Sequence, residues 1–199
     1  MESLRGKHAL GINAHELAAR LAGYTDILID LGTGDGRFVQ SVAQTQPATF
    51  AIGIDACREN LRARTLCTPP NALYLIANVL ALPTELEGLA TRLTVNFPWG
   101  SLLEALLEGE PACVARLAAL TRPGARIEVR LNAGALAEAG WPLEEGARQV
   151  RRTLRAARFD IQPPVALGPR ELSAYPTTWA HRLAFGRDPR ALELRGERL

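Results

Sequence analysis

Apolar and polar positions change their period repeatedly along the chain. Five short runs rich in branched side chains predict strands: "DILIDLG" (26–32), "TFAIGID" (49–55), "ALYLIAN" (72–78), "RLTVNF" (92–97) and "ARIEVRL" (125–131). Helical periodicity fills the intervals near 36–46, 57–66, 101–107 and 111–120. Strand and helix in alternation predict βαβ units, a parallel sheet and helices on both of its faces. Beyond residue 131 the rhythm changes. A long helix at 143–157 precedes "FDIQPPVAL" and "TTWAHRLAFG", two strand-like runs joined through Gly168 and Pro169 that suit an antiparallel pair ending the sheet. The first dozen residues are short and glycine-punctuated, predicting a small hairpin ahead of a helix at 14–22. No repeat, linker or low-complexity stretch divides the chain, so a single domain over residues 1–199 is expected.

Composition narrows the class without naming a function. A 47% hydrophobic and 22% charged chain is an ordinary globular protein. No apolar run approaches the ~20 residues of a bilayer span, and no signal-peptide pattern is seen, so a cytoplasmic protein off the membrane is expected. Cys57, Cys67 and Cys113 are odd in number and lack metal spacing; reduced thiols and no bound metal are expected. His15-Glu16 begins like a zinc-protease helix, but Ala19 stands where the second histidine belongs. Net charge is only +2, so distribution matters more than the sum. Lys7 is the only lysine; the other 22 basic residues are arginine, which suits phosphates and stacked bases.

The strongest chemical signal is "IDLGTGDGRF". A strand ending in Asp30 runs into Gly32, Gly34 and Gly36 and then a helix, a loop that lets backbone approach a ligand closely. A nicotinamide or flavin fingerprint requires glycine at position 37, which is arginine. An acidic residue beside the loop disfavours a pyrophosphate and favours a cationic ligand bearing an amino group, such as S-adenosylmethionine. Asp55, closing the second strand, is placed to accept ribose hydroxyls. Asn78, ending the third, is expected beside the adenine, and Val79 and Ser101 complete the expected cofactor set.

"NFPWG" ends the fourth strand, at the edge where open α/β sheets bind ligands. Methyltransferases acting on amino or ring nitrogens resemble one another in a polar-Pro-Pro-aromatic turn there, and "NFPW" looks like a variant of it with Phe97 in the first proline place. Carbonyls of such a turn accept an exocyclic amine while the ring of Trp99 stacks on the base. A second tryptophan, Trp179, stands among Thr177, His181, Arg182 and Arg187. Each ring taken alone also suits packing, and Trp141 is left to packing or a loop.

"DLGTGDGRF", "AIGID", "FPWGSLLEALL" and "TTWAHRLAFGR", with the N-terminal "LRGKHAL", resemble the 16S rRNA adenine-N1 methyltransferases that confer aminoglycoside resistance. The resemblance spans nearly the whole chain, and "FPWG" combined with "WAxRLAFGR" is its most specific part. It implies a Rossmann-like, seven-stranded α/β fold using S-adenosylmethionine, and methylation of N1 of adenine-1408 in the decoding site of the 30S subunit by a monomeric enzyme. Trp99 and Trp179 are implied to sandwich the flipped adenine, with Phe97 and Pro98 framing the pocket. Leu80, where the family pattern is acidic, and Asp188-Pro189, where it is more basic, depart from it.

A flipped base demands a grip on folded rRNA, chiefly through phosphates and shape. Arg58, Arg62 and Arg64 after the second strand, and Arg182, Arg187 and Arg190 near the end, are the expected RNA contacts. Arg148, Arg151, Arg152, Arg155 and Arg158 line one side of the 143–157 helix and read as a solvated face. Two other functions fit the same residues: methylation of a small aromatic amine, and RNA binding with little or no catalysis.

Overall fold

The computed structural model describes residues 1–5, 8–61, 68–186 and 188–199. Its strands are β1 (Glu2–Arg5), β2 (His8–Gly11), β3 (Asp26–Leu31), β4 (Thr49–Asp55), β5 (Ala72–Ile76), β6 (Ala90–Asn96), β7 (Thr121–Asn132), β8 (Phe159–Ile161), β9 (Val165–Ala166) and β10 (Ala191–Arg198). The helices are α1 (Ala14–Leu21), α2 (Arg37–Thr45), α3 (Arg58–Leu61), α4 (Gly100–Glu108), α5 (Pro111–Leu120), α6 (Ala133–Glu138), α7 (Leu143–Ala156), α8 (Pro169–Ala174) and α9 (Thr178–Ala184).

Among the described residues the strands form one sheet in the order β2-β1-β5-β4-β3-β6-β7-β10-β8, with β9 pairing β10. Strands β5, β4, β3, β6 and β7 are parallel, and β10 inserts antiparallel between β7 and β8. The seven strands from β5 to β8 are the expected methyltransferase core. The β1–β2 hairpin extends it by pairing antiparallel with β5. The chain leaves β3 toward β4 on one side and reaches β6 on the other, creating a switch point at the carboxyl end of β3.

Period-two alternation along β3 decides what sits at that point. Ile27, Ile29 and Leu31 enter the larger core beneath α4, α5 and α7. Leu28 faces the opposite way, packing with Phe38, Val39 and Val42 of α2. Asp30 shares the parity of Leu28, so a carboxylate lands at the end of the α2 face, opposite Thr94 of β6.

"TTWAHRLAFG" departs from the expected strand: residues 178–184 are helix α9. Thr177 is its N-cap, with a hydroxyl that accepts from the Ala180 amide at 2.9 Å. The β-branched pair that suggested a strand is thus a helix start. The antiparallel partner is "ALELRGER" instead, whose fully buried Leu194 pairs with Val129 of β7. Helices α8 and α9 cover the switch point through Leu172, Ala180 and Leu183, which bury Phe97.

Candidate cofactor and base site

A cleft of about 620 Å³ opens at the carboxyl ends of β3, β4 and β6. It brings together the expected residues Asp30, Gly32, Gly34, Asp55, Asn78, Val79, Phe97, Pro98, Trp99, Ser101, Trp179 and Arg182. Arg190 is not among them. Arg62, Arg64 and Arg187, together with Cys67, lie outside the described residues.

The glycine loop is held from both sides. Gly34 donates its amide to Asp55 Oδ2 at 2.8 Å, joining loop to second strand. Asp55 Oδ1 accepts from the Cys57 amide at 2.8 Å and from Asn60 Nδ2 at 3.2 Å. Each carboxylate oxygen has two lone pairs, so Asp55 retains acceptor capacity toward the cleft. Gly36 has φ +74°, and a Cβ there would lie 2.6 Å from Tyr74 Cε1, so only glycine fits beneath that ring. The Tyr74 hydroxyl donates to the Gly36 carbonyl.

Asp30 is almost wholly buried. Its Oδ1 accepts from Thr94 Oγ1 at 2.7 Å and Asn96 Nδ2 at 2.8 Å, whereas Oδ2 has no hydrogen-bond partner among the described residues. Burial pushes its carboxyl up to about 6, against the lowering effect of the nearby Thr33 hydroxyl, of the Thr94 and Asn96 bonds and of the Arg130 charge. A buried, half-satisfied carboxylate beside an open cleft is the counterpart of a cationic ligand group. Across the cleft, α4 begins at Gly100 without a side-chain cap, and Gly100, Ser101 and Leu102 line the opening. Amides there suit a carboxylate. Ammonium at Asp30, carboxylate at α4 and ribose at Asp55 together fit the amino-acid and sugar parts of S-adenosylmethionine.

Asn78 lies two residues past the end of β5 and caps a 3-10 turn, with Oδ1 accepting from the Leu80 amide at 2.9 Å. Its side chain is committed to that turn, leaving the backbone of 77–79 to border the cleft. Leu80 is exposed and does not line it.

Trp99 and Trp179 are not open to solvent on both faces, as two rings awaiting a base would be. They stack on each other, centroids 5.2 Å apart and planes 13° from parallel. Each ring covers the other's apolar face, leaving the residues 38% and 39% exposed. Trp99 Nε1 also donates to Glu138 Oε1 at 3.2 Å, a contact between positions 39 residues apart that no local motif announces. Phe97 has φ +52°, a conformation rare for a bulky residue, and its amide donates to the Arg130 carbonyl at 2.8 Å. That strained turn buries Phe97 and projects Trp99 outward.

Behind the cleft, sheet register aligns Asn96, Arg130 and Glu193 across three strands. Arg130 pairs with Glu128 and Glu193 and donates to Asn96 Oδ1 at 2.9 Å. Its guanidinium lies 4.0 Å from the Tyr175 ring centroid, and the Tyr175 hydroxyl donates to Asn96 Oδ1 at 3.0 Å. Asn96, the polar residue of "NFPW", is therefore a buried part of the cleft wall that joins Asp30 to Arg130.

Arg182 sits one helical turn beyond Trp179, its guanidinium 5.3 Å from that ring. Arg190 is bonded to Asp188 through Nε at 2.9 Å and Nη2 at 2.8 Å. Among the described residues no cluster of three or more His, Cys, Asp or Glu is arranged to hold a metal, and no helix is long and apolar enough to cross a membrane.

The family model for NpmA, 16S rRNA (adenine(1408)-N(1))-methyltransferase, matches residues 2–198. The chain belongs to this family. It is 31% identical over 202 residues to the 16S rRNA (adenine(1408)-N(1))-methyltransferase of Escherichia coli, covering 92% of each chain. Among solved structures it is similar to the antibiotic-resistance methyltransferase Kmr, at 34% identity and TM-score 0.82, over 100% of this chain and 99% of that one. The 16S rRNA methyltransferase KamB matches at 31% identity and TM-score 0.87, over 99% of both chains.

Proposed function

We propose that this chain transfers a methyl group from S-adenosylmethionine to N1 of adenine-1408 in the 16S rRNA of the 30S subunit, conferring aminoglycoside resistance. Residues 1–199 act as one methyltransferase domain, monomeric and cytoplasmic, without a metal. The observation that carries this reading is the tryptophan pair Trp99–Trp179 bordering the same cleft as the unsatisfied Asp30 carboxylate. Family membership supplies the target base.

Asp30, Asp55 and the start of α4 hold the donor, whose sulfonium supplies an already activated methyl group. Adenine N1 carries an in-plane lone pair, so the protein needs no general base. Its work is to position the reacting atoms. The sandwich requires the rings to part, because two indoles in stacking contact leave no room for a base between them. The present 5.2 Å separation is the closed pair. Stacking contributes ~1–3 kcal/mol per base, comparable to the cost of extruding one. Carbonyls of the 97–98 turn are suited to accept the adenine amino group, and Arg182 contacts phosphate beside it.

Incubation of the protein with isolated 30S subunits and radiolabelled donor tests the proposal. Label in 16S rRNA is expected. A parallel incubation in which small aromatic amines take up label while 16S rRNA does not would assign the same rings to a different substrate.

A further inference from the structure

We propose that Thr178 is a positioning residue that ties Trp179 to the cofactor loop, so that donor binding and placement of the target base are coupled through one hydrogen bond. The Thr178 hydroxyl donates to Asp35 Oδ2 at 2.7 Å, bridging residues 143 positions apart. Asp35 lies between Gly34, whose amide is bonded to Asp55, and Gly36, which is wedged beneath Tyr74. The acceptor is thus part of a loop with little freedom. Arg37 Nε sits 3.1 Å from the same oxygen, keeping that carboxylate oriented. On the other side, Thr178 is the first residue of α9 and Trp179 the second. A displacement of the glycine loop is passed to Trp179 across one side-chain bond and one peptide unit.

The 169–184 segment has a second tether at Tyr175, whose hydroxyl donates to Asn96 beside Asp30. That bond fixes where the segment sits on the sheet. Among the described residues, the Thr178 bond is the hydrogen bond that ties the start of the ring-bearing helix to the cofactor loop. Trp99 is held separately, through its indole N–H on Glu138. Each indole therefore has its own anchor, and the anchor of Trp179 is the cofactor loop itself. Linkage makes the coupling reciprocal: a donor that steadies the loop steadies the ring, and a base held by the ring steadies the donor.

The inference rests on the methyltransferase reading above, and its test separates the two. Thr178→Val keeps the shape and removes the donor; Thr178→Ser keeps the donor. Two stacked indoles couple excitonically, so the closed pair gives a paired-sign circular-dichroism band in the free protein that involves no RNA. Thr178→Val is expected to lose that band and, because hydrogen bonds to charged groups are among the stronger ones, about tenfold in kcat/KM for methyl transfer to 30S subunits. S-adenosylmethionine affinity of the free protein and Tm should change little, and Thr178→Ser should restore both signals. Asp35→Asn combined with Thr178→Val should cost no more than the larger single change, as for two ends of one interaction. If Thr178→Val keeps either the band or wild-type turnover, or if the double variant is additive, the tether is not what places Trp179. A wild-type protein inactive on 30S subunits would overturn the substrate reading, while the band still decides the tether.

Discussion

The Trp99 and Trp179 rings lie face to face, 5.2 Å apart between centroids and 13° from parallel, across a boundary of 79 intervening residues. Neither ring is a core residue, and each is more than a third exposed. Two large apolar faces remain partly in water at the mouth of a cleft whose floor is a buried carboxylate. Stability alone gives no reason for that arrangement; a planar substrate does.

Trp99→Ala and Trp179→Ala should each lower methyl transfer by roughly tenfold to a hundredfold, the equivalent of ~1–3 kcal/mol of lost base stacking. Calorimetric cofactor binding and Tm should stay close to wild type. A large fall in Tm for either variant would make that ring a packing residue.

Donor binding should depend on pH through Asp30. Its folded carboxyl titrates near 6, above the ordinary carboxylate range, because burial disfavours the ionised form. A raised pKa means that its contribution to the stability of the free protein is fully present below the unfolded value and is lost as pH rises through about 6. The ammonium of the donor prefers ionised Asp30, so affinity should climb between about pH 4 and 6, by up to tenfold per unit, then level off until the amino group itself titrates near ~8. Isothermal titration across this range checks the slope. Asp30→Asn should bind weakly and without the rise, whereas a wild-type affinity independent of pH would remove Asp30 from the ammonium site.

Gly36→Ala should destabilise the protein by about 1–3 kcal/mol, because a side chain at positive φ also collides with Tyr74. Thermal unfolding should show a Tm lower by several degrees, and the cost of Gly36→Ala should be smaller when it is measured in a Tyr74→Ala background, itself destabilised by the loss of a buried ring. An unchanged Tm would mean that the loop is free to move away from Tyr74.

Arg182 and Arg190, two of the described arginines expected to grip RNA, should not be equivalent. Arg182 lines the cleft beside Trp179, whereas Arg190 is doubly bonded to Asp188, which the Arg190 guanidinium holds down at about 2. Arg182→Ala should weaken 30S binding and flatten its salt dependence by about one phosphate contact. Arg190→Ala should do less. Equal losses in filter binding at matched salt would show that the Asp188 pair opens on the ribosome.

Much of this site was legible from local pattern. "DLGTGDG" placed a carboxylate, a glycine turn and a helix in sequence, and "FPWG" placed a ring at the end of a strand, because both motifs are built from consecutive residues. What escaped were features made by distant parts of the chain meeting. The closure of Trp99 on Trp179, the Glu138 anchor and the Thr178–Asp35 bond join separate elements and leave no spacing to read. The misreading of "TTWAHRLAFG" has a local cause. Two β-branched threonines suggest a strand, although a threonine N-cap followed by Ala180 and Leu183 on one face was the available helix signal. The antiparallel strand beside β7, "ALELRGER", alternates weakly, since Glu193 is buried through its pairs with Arg130 and Arg195 rather than exposed.

Primer extension on 16S rRNA from purified 30S subunits, after incubation with this protein and S-adenosylmethionine, tests the central claim most directly. A methyl group on N1 blocks the pairing edge of adenine, so reverse transcription should halt at adenine-1408, only when donor is present, and not with Trp179→Ala. Read-through at adenine-1408 by fully folded, donor-binding protein, or a halt at another base, would contradict it.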